Sequence, residues 1–91
     1  MAIDIDYVTE EYRLDHPEKI VAVLRALRHE KGYTQQFIAD NLQLSQKTVS
    51  ALERNAHKAN FSSVLNLLDL LDAELVVRCA ELIATNHIIH L

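Results

Sequence analysis

Residues 34–54 read Thr34-Gln35-Gln36-Phe37-Ile38-Ala39-Asp40-Asn41-Leu42-Gln43-Leu44-Ser45-Gln46-Lys47-Thr48-Val49-Ser50-Ala51-Leu52-Glu53-Arg54, and they decide the fold. Thr34 and Ser45 each precede a run of helix-compatible residues. Their hydroxyls can accept from first-turn amides, so two short helices are predicted, about three residues apart. Ala39 is small where two helices must cross closely. Ile38, Leu42, Leu44, Val49 and Leu52 are apolar at spacings that lock the pair against its neighbours. Gln46, Lys47, Ser50, Ala51 and, past the helix end, Arg54 are left outside. None of these is a large apolar residue.

Upstream, Asp15-His16-Pro17-Glu18 is a helix start: Asp15 can cap, Pro17 tolerates the first turn, and Glu18 lies three residues after Asp15. Ile20, Val23, Leu24 and Leu27 then mark one buried face. Gly32 suits a left-handed stop, with Lys31 favourable in the last turn. Downstream, a polar loop runs from Arg54 to Asn60. Val64, Leu67, Leu68 and Leu71 repeat the helical stripe, in a helix begun near Asn60 to Ser62. Leu65 and Leu70 lie off it and point to a subunit or partner contact.

Glu74-Leu75-Val76-Val77-Arg78-Cys79 is β-branched and bounded, so a strand is predicted there. A lone strand leaves its backbone unpaired. Its partner is then either residues 3–8, where Ile3, Ile5 and Tyr7 alternate with Asp4 and Asp6, or the same strand of a second subunit. In the second case Leu75, Val76 and Val77 form the dimer strand. Glu81 to Ala84 could add a helical turn, and Ile88, Ile89 and Leu91 form an apolar end. The chain divides into an acidic segment (1–14), a helical domain (15–72) and a C-terminal strand and tail (73–91). The expected class is all-α, four to five helices, with a short C-terminal β-strand pairing across a dimer.

Composition narrows the function. At 91 residues there is room for one core, and one Gly and one Pro disfavour linkers and turn-dense β folds. Two Phe, three Tyr and no Trp disfavour a face of stacked rings for RNA or single strands. One Cys excludes an intrachain disulfide and suits a reducing cytoplasm. No signal peptide or membrane-spanning run is read. The net charge of −4 argues at first against nucleic acid. It is an average, however. Residues 1–18 carry six acids against Arg13. Residues 19–60 carry Lys19, Arg25, Arg28, Lys31, Lys47, Arg54 and Lys58 against Glu30, Asp40 and Glu53. Residues 61–91 carry four acids against Arg78. A basic middle thus sits between acidic ends, and it coincides with the helix pair.

A tight pair of helices inside a four- or five-helix body describes a helix-turn-helix domain. Its second helix fits the major groove, N-terminal residues first. Gln46 then suits adenine, Lys47 suits guanine, and Ser50 is a less specific base contact. Amides near Thr34 and Gln35 can hold a phosphate, with Thr48, Arg54 and Lys58 as further phosphate contacts. Cys79, His87 and His90 lack the fourth ligand and the spacing of a structural zinc site, so no metal is expected. The serines read as caps, no glycine loop cradles a phosphate, and neither catalytic residues nor a cofactor are expected.

Thr34 to Ala39 and Leu44 to Arg54 resemble the Xre/Cro-type helix-turn-helix family, with the likeness covering about residues 18–72. The resemblance implies a lambda-repressor-like fold, a phosphate contact at Gln35 and base contacts at Gln46, Lys47 and Ser50. There are departures. Phe37 stands where Glu is frequent, and Gln43 stands where the turn often has Gly. Asn55 stands where Gly is common after the third helix, and Asn accepts the same left-handed conformation. A helical body followed at once by a short strand looks like HipB-type antitoxins. That likeness implies a homodimeric repressor that binds operator DNA and restrains a HipA-type Ser/Thr kinase toxin. The alternatives are a free-standing phage- or plasmid-type repressor and a helix-turn-helix module that binds only protein.

Overall fold

The computed structural model describes residues 10–80. In chain order these form α1 (Lys19–Lys31), α2 (Gln35–Leu42), α3 (Gln46–Arg54), a 3-10 turn (Ala56–Lys58) and α4 (Phe61–Leu70). Three of the starts are capped by side chains. Thr34 Oγ1 accepts from the Phe37 amide at 3.0 Å, Ser45 Oγ from the Thr48 amide at 3.1 Å, and Asn60 Oδ1 from the Ser62 amide at 2.8 Å. Each such cap contributes about 1 kcal/mol.

α1 starts differently from the sequence expectation. Glu18 occupies its N-cap position without a side-chain bond, and Asp15 does not cap. Asp15 lies one turn too early and instead pairs with Lys19, four residues on. The hydrogen bond from Lys19 lowers the pKa of the Asp15 carboxyl. α1 ends as expected, with Gly32 left-handed at φ 71° and the Tyr33 amide bonded to the Arg28 carbonyl at 3.1 Å.

α2 and α3 form the most extensive pairing between elements. Ala39, fully buried, lets them approach, and Leu44 N–H closes the turn onto the Ala39 carbonyl at 2.9 Å. The turn requires Gln43 at φ 57°. A side chain in that left-handed region costs about 1–2 kcal/mol. Ile38 and Val49 join Ala39 in the core, but Leu44 is 40% exposed and does not lock the pair.

The core gathers Leu24 from α1, Ile38 and Ala39 from α2, Val49 from α3, Ala56 from the 3-10 turn, and Val64, Leu67, Leu68 and Leu71 from the end of the body. Burying a leucine or isoleucine of this kind contributes about 1.5–3 kcal/mol. The α4 stripe is as expected. On α1, Val21 rather than Val23 packs against the core. Leu70 also packs there and needs no partner, while Leu65 stays 39% exposed. The polar loop after α3 contains the 3-10 turn, which seats Ala56 against α1. Asn55 is not left-handed (φ −122°), because the chain continues into that turn instead of reversing.

α4 is C-capped by Leu71, and the chain turns away at Asp72, left-handed at φ 56°, with the Ala73 amide bonded to the Leu68 carbonyl. The strand expected at 74–79 is not formed among the described residues. A single chain offers that segment no backbone edge, and Val76 and Val77 stand 67% and 87% exposed. It passes residues 10–14, where Arg78 meets Glu11 at 2.8 Å. Residues 3–8 and the apolar end at 88–91 lie outside the described residues. Among the described residues no helix is long and apolar enough to cross a membrane.

Candidate nucleic-acid interface

Gln46 and Lys47 occupy the first turn of α3 and are exposed. Ser45 holds that turn twice: it caps the Thr48 amide, and its hydroxyl lies 2.8 Å from Thr48 Oγ1. Gln35, Gln46, Lys47, Ser50 and Arg54 line one shallow open depression. It therefore brings together all three expected base contacts and two of the five expected phosphate contacts. Thr34 and Thr48 are engaged in caps, and Lys58 sits exposed on the 3-10 turn. Arg54 donates to Ser50 Oγ at 3.1 Å, so one guanidinium already uses the serine that was expected to read a base.

At the start of α2, the Phe37 amide goes to Thr34 and the Ile38 amide to the Thr34 carbonyl. The amides of Gln35 and Gln36 precede the first intrahelical acceptor and remain available for an anion beside the depression.

Behind the depression lies a cluster that the sequence reading missed. Glu53 is 2% exposed, yet charged. Arg28 grips it from α1 with two bonds, Nε to Oε2 at 2.8 Å and a terminal nitrogen to Oε1 at 3.0 Å, and also donates to the Tyr33 carbonyl. Arg25 Nε reaches Oε1 at 3.4 Å. Burial pushes the Glu53 carboxyl up. The hydrogen bonds and charge of Arg28 outweigh that, helped by Arg25 and by the Gln35 side chain, and hold it below the usual range. One buried carboxylate thus ties α1 and α3 together. The signal was available: Glu53 lies four residues after Val49, on the inward phase of α3, and a charge there needs a partner.

The ion pairs also redraw the charge map. Lys19 is paired with Asp15, Lys31 with Asp72 and Arg28 with Glu53. Lys47, Arg54 and Lys58 meet no carboxylate among the described residues. The uncompensated positive charge therefore runs along α3 and its exit. Cys79 is exposed, and His87 and His90 of the discounted metal set lie outside the described residues.

A capped helix pair with a close small-residue crossing, an exposed polar second helix and a supporting core defines a helix-turn-helix domain, the architecture DNA-binding regulators place in the major groove. A family model described as "Helix-turn-helix domain" matches residues 20–82, and the chain belongs to that family. No curated protein and no solved structure matches the chain.

Proposed function

We propose that this protein is a sequence-specific DNA-binding transcriptional repressor, not an enzyme, and that it works in the cytoplasm as a homodimer. The observation that carries this is the convergence of Gln46, Lys47 and Ser50 with Gln35 and Arg54 on one exposed face of α3. Gln46 and Lys47 lead into the groove and read base edges, while Gln35 and Arg54 hold the backbone on either side. Two copies of α3, about 34 Å apart, enter successive major grooves of a near-palindromic site and exclude polymerase by occupancy.

Dimer formation rests on Leu75, Val76 and Val77. These β-branched and apolar residues are exposed, and a second copy of the same segment would pair their backbone and cover them. We further propose that the dimer is the antitoxin of a HipA-type kinase toxin and represses its own operon. The acidic ends and the exposed Phe61 and Leu65 favour a protein partner over a free-standing repressor.

Selection from a random duplex library, followed by binding at rising salt, tests DNA recognition. Enrichment of a two-fold site with affinity falling steeply in salt is expected; no enrichment, with affinity flat in salt, refutes it. Sedimentation of Val77→Lys against the parent tests the strand, which is wrong if both are equally dimeric or equally monomeric. The antitoxin role predicts that the adjoining reading frame encodes a kinase that co-purifies stoichiometrically. A neighbour with no kinase fold leaves the free-standing repressor.

A further inference from the structure

Arg25 is the surplus cation of the Glu53 cluster. Two guanidiniums share one carboxylate, and Arg28 alone neutralises it through two short bonds. Arg25 touches it with Nε only, at 3.4 Å, and its side chain is 50% exposed against 12% for Arg28. Its two terminal nitrogens have no protein acceptor among the described residues. Glu53 directly precedes Arg54 on α3, and Arg54 lines the depression. Arg25 therefore stands at the margin of the interface, on a helix outside the helix-turn-helix pair, aimed by a buried acid and carrying one net positive charge outward.

We propose that Arg25 binds a backbone phosphate of the DNA duplex, so that the interface extends onto α1. Phosphate is the chemistry that fits. A guanidinium with two free terminal N–H₂ groups offers a planar fork to a tetrahedral oxyanion, and the Nε contact to Glu53 restricts its rotation and lowers the ordering cost. Its place on α1, outside the recognition helix, gives it no base edge to read, so it contributes affinity without specificity.

This inference rests on DNA binding, and the test separates the two. A random-sequence duplex is titrated with the parent, Arg25→Ala and Lys31→Ala across 50 to 200 mM salt. Lys31 is the control, a cation already paired with Asp72. One phosphate contact contributes about 0.9 to the slope of log affinity against log salt. The parent's advantage over Arg25→Ala should then shrink about three- to fourfold across that range. Lys31→Ala should keep the parental slope, and the Arg25→Ala deficit should be equal on all sequences. If Arg25→Ala is poorly folded by circular dichroism, Arg25→Gln, which keeps part of the stem and a donor, carries the same expectation. An unchanged slope in the Arg25 variant overturns the proposal, as does an equal shallowing in Lys31→Ala. A parent whose affinity is flat in salt refutes DNA binding itself, and the Arg25 contact with it.

Discussion

Glu53→Gln is the sharpest test of how the recognition helix is held. The change removes the charge and keeps the shape. Arg28 then remains 12% exposed, with the Tyr33 carbonyl and one amide oxygen in place of a carboxylate as its acceptors. Arg25, half-exposed, can turn to water. Breaking a buried pair from one side costs about 3–5 kcal/mol. The glutamine oxygen still accepts one bond and Tyr33 keeps another, which places the loss near the lower end, about 3 kcal/mol. A chain this small has a total stability of about 0.05–0.15 kcal/mol per residue, so the loss is a large part of the whole. The melting temperature should fall by about 12–24 °C. Urea unfolding followed by far-ultraviolet circular dichroism measures the free-energy loss, and a thermal scan with the same signal measures the fall in melting temperature. Arg28→Ala should cost less, because Arg25 already lies 3.4 Å from the same oxygen and can close on it. Replacing both partners, Arg28→Met with Glu53→Leu, should recover most of the loss. A Glu53→Gln protein within about 1 kcal/mol of the parent, the range of an exposed pair, would refute the assignment.

Three further outcomes are expected. Gln43→Gly should stabilise the fold by about 0.5–1 kcal/mol, since glycine removes the strain at φ 57° and loses part of that gain to chain entropy; a lower urea midpoint would contradict it. Lys47→Ala should weaken binding to a selected site by about 1–3 kcal/mol and relax one base position, whereas an equal loss on every sequence in a competition assay marks a phosphate contact instead. Glu53 is held below its ordinary pKa of 4.5, so its ionisation stabilises the folded state above that value, and the contribution is lost as pH falls through the lower folded value. Acid unfolding monitored from pH 6 to about 2 should therefore be less steep for Glu53→Gln than for the parent.

The legible parts of the chain were those ruled by local chemistry. Thr34, Ser45, Asn60 and Gly32 act where they stand, through bonds to amides and carbonyls a few residues away. The α4 stripe was legible because four positions agree on one phase. Asp15 misled because a capping residue and an i,i+4 ion-pair partner look alike in sequence, and the pairing with Lys19 prevailed. Leu44 and Val23 misled because apolar identity does not say which side of a turn or helix meets the core. Glu53 was overlooked because its partners are 25 and 28 residues away, across the fold. The strand at 74–79 was inferred from residue type alone, and a strand exists only with an edge to pair with.

The fastening of α3 lies at one end and its reading residues at the other. Glu53 grips α1 near the exit of the helix, while Gln46 and Lys47 stand about 10 Å away at the entrance. Substitutions at the entrance leave the grip, the Ser45 cap and Val49 untouched. The address of such a domain can therefore be rewritten one side chain at a time without re-establishing the fold at each step. Duplicated copies in one genome could diverge in target while sharing one stability, and a designer could exchange Gln46, Lys47 and Ser50 as a cassette.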